Sequence, residues 1–322
     1  MQVRDFVAIG RKVAGGRFAD VWGKVHSDST RRALDVWDEI HRPPAHWLSI
    51  PAVQRRWGRM VTGDGSLRFV DHVADTYLAG QTGLRALSIG CGSAAGELEW
   101  AATGRFERID AFDLAPEPVE EARRQAEVLG LAGVLHVSVS DIADFAMPPD
   151  SYDVVLVEHA LHHMAPMDTV LERIRRTLRP GGIFCLDEYV GPTRFQWTPR
   201  QLEAADALLK TIPERLRTAP DGVRRSVVRP SLARMVLTDP SEAIRSAEIV
   251  PGVRDRFEVV EERGYGGTLL HLVLADISQH FLDDADHESM QVLNALIAVE
   301  DALLHAGEID HDFATMIARR TR

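Results

Sequence analysis

Short apolar runs alternate with helix-spaced apolar positions through the middle of the chain, roughly residues 84–190. Ala86-Leu87-Ser88-Ile89 reads as a buried strand, and the runs over 109–113, 134–139, 154–157 and 183–186 read the same way. Between them, apolar residues recur at helical spacing over 94–102, 117–129 and 167–178. Pro116 followed by acids suits a helical first turn. Strands alternating with helices of this length predict βαβ units and a mostly parallel sheet. The flanks are less regular. Residues 1–80 are rich in Trp, His and Arg, and Pro43, Pro44 and Pro51 mark irregular chain between short helices. After residue 190 the pattern predicts a helix over 199–216, irregular chain over 220–240, a strand over 257–262, helices over 269–281 and 288–305, and a closing strand over 313–318.

These patterns divide the chain into a helical lid segment (1–80), an α/β core (81–190), a helical insertion or cap (191–256), and a stretch (257–322) whose two strands and inserted helices complete the core. The 322 residues suit such a domain with insertions. A formal charge of −11 gives no general attraction for a phosphate backbone, so nucleic acid is not an expected partner. The clusters Arg173, Arg175, Arg176, Arg179 and Arg224, Arg225, Arg229 read as solvated faces. Two cysteines, Cys91 and Cys185, offer neither a disulfide framework nor a metal-ligand spacing. Met1 to Lys12 lacks the apolar stretch of a signal peptide, and no run of about 18 apolar residues spans a bilayer. The expectation is a cytoplasmic protein with no membrane partner.

The sharpest chemical signal is Leu87–Gly96, which follows a strand and opens a helix. Gly90 and Gly92 let the backbone turn and approach a ligand, and the helix start directs free N–H groups toward it. Asp113, 21 residues after Gly92, ends the second strand, where a carboxylate can accept both ribose hydroxyls of an adenosine. Asp141 and Ile142 follow the third strand, placed for an adenine amine and ring face. The spacing Gly90-x-Gly92-x-x-x-Gly96 departs from the dinucleotide fingerprint and leaves less reason to expect a pyrophosphate.

With Ser140-Asp141-Ile142, the strand Tyr152–Val157 and Leu178-Arg179-Pro180-Gly181-Gly182, the segment 85–190 resembles a class I S-adenosylmethionine-dependent methyltransferase. The resemblance implies a Rossmann-like α/β fold of seven mostly parallel strands in the order 3-2-1-4-5-7-6. The segments 257–262 and 313–318 would be its sixth strand and its antiparallel seventh. It implies S-adenosyl-L-methionine as cofactor, held by Gly90, Cys91, Gly92, Asp113, Leu114, Asp141, Ile142, Glu158 and His159. Gly191–Trp197, Arg229-Pro230-Ser231 and Tyr265–Thr268 resemble a bacterial subgroup, which implies small-molecule or sugar-type acceptors of secondary metabolism. The helical extension of such enzymes admits a homodimer.

The acceptor should meet the loop after the fourth strand, Glu158-His159-Ala160-Leu161-His162-His163. Histidine is the usual base at neutral pH, so His162 or His163 is expected to take a proton from an attacking hydroxyl. Glu188 and Tyr189, ending the fifth strand, stand at the same rim as further catalytic candidates. Strand alternation points one of Asp187 and Glu188 inward. Trp57, Arg194, Trp197, Arg229, His271 and Glu300 are the substrate-binding candidates. The histidine spacing is not that of a helical ligand pair, so no metal is expected. O-methylation by in-line transfer is the first reading. N- or C-methylation, acceptor cyclisation on the same scaffold, and a non-catalytic cofactor-binding protein are the alternatives.

Overall fold

The computed structural model describes residues 46–321; the greater part of the lid segment, including the stretch His41–Ala45, lies outside the described residues. A seven-stranded sheet forms the centre, in the order β3-β2-β1-β4-β5-β7-β6. Its strands are β1 (Leu84–Ile89), β2 (Phe106–Asp113), β3 (Leu135–Val139), β4 (Tyr152–Glu158), β5 (Leu178–Tyr189), β6 (Glu258–Gly266) and β7 (Phe313–Arg319). The first five pair in parallel, whereas β7 runs antiparallel to both β5 and β6. The sheet order and the antiparallel β7 agree with the expectation from sequence.

Two apolar clusters cover the two faces. One gathers Leu87, Ile89, Phe112, Val155, Phe184 and Leu186; the other takes alternate residues such as Ala86, Ala111, Val154, Leu156 and Cys185. This is the period-2 consequence of strands buried on both sides.

Helices α1 (Pro51–Thr62) and α2 (Phe69–Thr76) precede β1. Helices α3 (Ala95–Ala102), α4 (Pro116–Val128) and α5 (Met167–Thr177) connect the parallel strands. The cap holds α6 (Pro199–Thr211), α7 (Leu232–Thr238) and α8 (Ile249–Arg256), and α9 (Leu270–Leu274) and α10 (His287–His305) lie between β6 and β7.

Three helical expectations change. The helix over 199–216 ends at Thr211, because Pro213 forces the preceding Ile212 into extended backbone (φ −71°, ψ 129°). The helix over 269–281 breaks after Leu274, where Ala275 turns extended and Asp276 takes φ +65°. Within the irregular stretch 220–240, Ser231 caps α7 by accepting from the Arg234 N–H, a start signal overshadowed by the surrounding prolines and glycines. Among the described residues, no helix is long and apolar enough to cross a membrane.

Candidate active site

The carboxyl ends of β1, β2, β4 and β5 meet along one rim. At β1 the chain enters the glycine turn with the Gly90 and Cys91 N–H groups donating to Phe112 O (2.9 and 3.2 Å). Gly90 sits at φ +74°, and a Cβ there would lie 2.5 Å from the Ala160 Cβ. Only glycine fits between this turn and the β4 loop. Gly92, at φ +51°, faces the other way: a Cβ there would meet nothing within 4 Å. The turn therefore rests on the loop after β4 while keeping open ground above Gly92.

Asp113 ties the turn to β2. One carboxylate oxygen accepts from Gly92 N and the other from Ala115 N, both at 2.9 Å. Each oxygen keeps a lone pair for a further donor, so Asp113 can hold a ribose diol while fixing the loop that presents it. Leu114 and Cys91 are half-buried beside it. Asp141 starts the turn after β3 by accepting from Ala143 N (2.7 Å), and Ile142 packs beside Phe112 and Phe145, which stack at 4.3 Å.

Three carboxylates gather between the glycine turn and β5. Glu97, in the first turn of α3, is buried and accepts from the Ser88 hydroxyl (2.5 Å). Burial, reinforced by Glu158, pushes its pKa up to about 8. Glu158 accepts from Trp100 Nε1 (2.9 Å), and burial raises it against that donation. Asp187 accepts from the Tyr265 hydroxyl (2.6 Å) and is raised by burial, with His159 opposing. A cavity of about 510 Å³ opens here between α1, α2 and the rim, with Trp57, Phe69 and Trp100 among its walls and Glu158 and Asp187 on its floor. Such a set suits a cation, since a positive ligand would offset the cost of ionising these acids. S-adenosylmethionine carries a sulfonium and an ammonium. The open ground over Gly92, the Asp113 carboxylate and the acid group together fit it.

Asp187 and Glu188 point to opposite faces of β5, and both are used. Glu188, fully buried, accepts from Leu161 N (2.6 Å), His162 N (3.3 Å) and Tyr189 N (2.6 Å). Its other contact is the short pairing with His162 Nδ1. Burial works against charge on both partners, but their mutual attraction outweighs it: Glu188 is held below the usual carboxylate value, and His162 above the usual imidazole value. His163 Nδ1 lies 3.2 Å from the Ser241 hydroxyl, which donates to Asp239 (2.6 Å). Burial and the neighbouring His162 push His163 down to about 3, so it stays neutral. His159, at φ +53°, stands more exposed, with Nε2 3.8 Å from Asp187 and its ring against Phe313.

The remaining candidates separate into two groups. Trp197 stacks on Phe195 (5.3 Å) and meets the His271 ring edge-on, and Tyr189, Phe195 and Phe313 pack around the same His271. Burial lowers His271 to about 3, and its Nδ1 has no hydrogen-bond partner among the described residues. The Tyr189 hydroxyl donates to Pro192 O (3.1 Å). Arg229 donates to Trp197 O and so braces this wall rather than facing it. Arg194, half-buried at φ +57°, donates to Glu242 O (3.2 Å), not to the acids of β5. Glu300 is fully buried and accepts from Gly267 N, Leu269 N and Leu270 N (3.0, 2.7 and 2.9 Å), with Arg56 at 2.9 Å. It caps α9 and ties α1 to the core, so its oxygens are spent on structure.

Glu97, Trp100 and Glu242 escaped the sequence reading. An acid directly after Gly96 was a usable signal for Glu97. Glu242 lies 80 residues from His162 and had none. Nitrogens of His162 and His163 and an oxygen of Glu242 come within 4.8 Å of one another.

A family model described as a methyltransferase domain matches residues 87–186. A fatty-acid O-methyltransferase of Mycolicibacterium smegmatis is 29% identical over 133 residues, covering 41% of this chain and 46% of that protein. The 27-O-demethylrifamycin SV methyltransferase of Amycolatopsis mediterranei is 28% identical over 127 residues, covering 39% and 46%. The matches thus span less than half the length of these relatives. A solved phosphoethanolamine N-methyltransferase of Haemonchus contortus, in complex with S-adenosyl-L-methionine, shares the fold with a TM-score of 0.53. It is 16% identical, over 92% of this chain and 61% of that one. Residues 87–186 are a class I S-adenosylmethionine-dependent methyltransferase domain, and S-adenosylmethionine is its cofactor.

Proposed function

We propose that the whole protein is an S-adenosylmethionine-dependent methyltransferase that O-methylates a small-molecule hydroxyl, with His162 as base and Glu188 as its orienting partner. The observation that carries this reading is the Glu188–His162 pairing beside the glycine turn. Glu188 takes Nδ1 and three backbone N–H groups. That fixes the ring and leaves Nε2 as the nitrogen that exchanges a proton with the acceptor. The loop carrying it starts at Ala160, which packs on Gly90, so base and cofactor turn share one rigid support.

When bound, the cofactor supplies a methyl group on a positive sulfonium and leaves as a neutral thioether. An acceptor oxygen lone pair forms the new O–C bond while its proton passes to His162 Nε2. Glu188 stabilises the imidazolium that results. The three acids at the other end hold the positive cofactor, and the aromatic wall of Trp197, Phe195 and Phe313 excludes water from an acceptor laid against it. Support for a hydroxyl over an amine comes from the base itself: a hydroxyl must lose its proton during transfer, whereas a free amine attacks with its lone pair already available.

The test incubates the purified protein with S-adenosylmethionine and a panel of hydroxylated lipids, sugars and phenols. S-adenosylhomocysteine release and product masses are followed together. A product 14 Da heavier that resists alkaline ester cleavage and acid amine extraction supports an ether. Turnover in a His162→Asn variant equal to that of the parent sinks the base assignment.

A further inference from the structure

His162 has a second carboxylate neighbour. Glu242 Oε1 stands 3.5 Å from Nε2, opposite the nitrogen that Glu188 holds. It arrives from the turn between α7 and α8, and main-chain bonds bring it there. Ile244 N donates to His162 O (3.0 Å), and Arg194 N donates to Ala243 O (2.7 Å). The Arg194 guanidinium adds its bond to the Glu242 carbonyl. None of these uses the Glu242 side chain, so the turn stays docked whatever that side chain is. Among the described residues, His162 is the one ion-pair partner of the Glu242 carboxylate, which remains 27% exposed.

The groups facing His162 are Glu188 from β5, Glu242 and Asp239 from the turn, and the neighbouring His163 and His271, both held neutral by burial. Arg194 acts on Glu242 and Asp239 from the segment after β5. Acidic groups thus outnumber cations around the ring, and burial raises the Glu242 carboxyl while His162 opposes that shift. At 3.5 Å the Nε2–Glu242 contact is an ion pair but too long for a good hydrogen bond. An acceptor hydroxyl must come within about 2.6–3.2 Å of Nε2 to lose its proton. The direction it needs is the one Glu242 faces.

We propose that Glu242 is a second positioning carboxylate of the base: it stands against Nε2 while Glu188 holds Nδ1, and its side chain yields that place to the acceptor hydroxyl and returns to it when the product leaves. After transfer the proton on Nε2 faces Glu242, whose partly exposed carboxylate passes it on to water and returns the imidazole to its neutral form. This deepens the reading of His162 as base and rests on it for its catalytic meaning. The electrostatic arrangement can be tested without an acceptor.

The experiment is an NMR titration of the full chain with ¹⁵N-labelled histidine in the presence of EDTA, with His162 assigned by its absence from a His162→Asn spectrum. Glu242→Gln keeps the shape and removes the charge, and Glu242→Asp withdraws the charge by one methylene. The His162 midpoint should fall by about 1 pH unit in the Gln variant and by less in the Asp variant, with backbone amide shifts otherwise unchanged. An unmoved midpoint in both variants overturns the proposal. So does a change in the His162 and His163 signals on adding EDTA to the protein as purified, because those nitrogens would then be holding a metal. The two readings fail separately: undiminished turnover in His162→Asn strikes the base, and an unmoved midpoint strikes Glu242.

Discussion

At the glycine-turn end of the site, Glu97, Glu158 and Asp187 are all held above the ordinary carboxylate range by burial. At the β4-loop end, Glu188 is equally buried yet held below that range by His162. The difference lies in the partner. The first three accept hydrogen bonds from a tryptophan, a tyrosine and a serine, which carry no charge; the His159 imidazole, 3.8 Å from Asp187, opposes the effect of burial without overcoming it. Glu188 faces an imidazole that takes the positive charge itself. One end therefore awaits a cation from outside, and the other carries its own. Adjacent residues of one strand, Asp187 and Glu188, serve these opposite arrangements because β-strand side chains alternate between faces.

The largest test of that contrast removes the internal cation. His162→Asn should cut turnover by about 10²–10⁴-fold and leave S-adenosylmethionine affinity by calorimetry within about twofold. A large loss of cofactor affinity would show that the two ends are not separate. In the parent enzyme, the free-enzyme profile of kcat/KM should rise with pH through a midpoint above 6.5. The base must be neutral to accept a proton, and the surrounding carboxylates hold it charged to higher pH. A midpoint below 6.5 would mean that burial, not charge, governs the imidazole.

Asp113→Ala comes next. It removes the acceptor for Gly92 N and Ala115 N as well as the carboxylate expected to meet the ribose. Cofactor affinity should drop by about 10–100-fold, the worth of one or two hydrogen bonds to a charged group. Calorimetry with S-adenosylhomocysteine reads this directly, and an unchanged affinity would remove Asp113 from the cofactor site. The smallest effect belongs to Glu97. With a pKa near 8 it is mostly protonated at pH 7, and a nearby cation should pull that proton off. Binding should then release up to about one proton and tighten as pH rises toward 8. Calorimetry in buffers of different ionisation enthalpy measures the release, and Glu97→Gln should abolish it. Equal release in that variant would assign the proton to Glu158 or Asp187.

The contrast between the two ends also explains what could be read from the chain. Gly90, Gly92, Asp113 and Asp141 lie within about fifty residues, on consecutive strand ends, so local pattern alone brings them together. The strands themselves stand out because each is a continuous apolar run buried on both faces. The β4-loop end is assembled from residues 162, 188, 239 and 242, and the last two arrive through main-chain bonds between the cap and the β4 loop. No periodicity announces such a bond. Glu300 misled for a related reason. An acid within an apolar helix is equally suited to a pocket or to capping backbone amides, and only the position of α9 decides between them.

Strand β7 carries a consequence for how the protein is made. It pairs Thr315 with Asp187, Ala314 with Glu188 and Phe313 with Tyr189, so the segment bearing both site acids gains its second neighbour from chain 124 residues downstream. At ribosomal rates of ~5–20 residues per second, that partner follows roughly 6–25 s later. During that interval β5 presents an open edge of backbone N–H and C=O groups, flanked by Phe184, Cys185 and Leu186, to whatever else is nascent nearby. The step that completes this rim is the same step that removes this template for mispairing during synthesis.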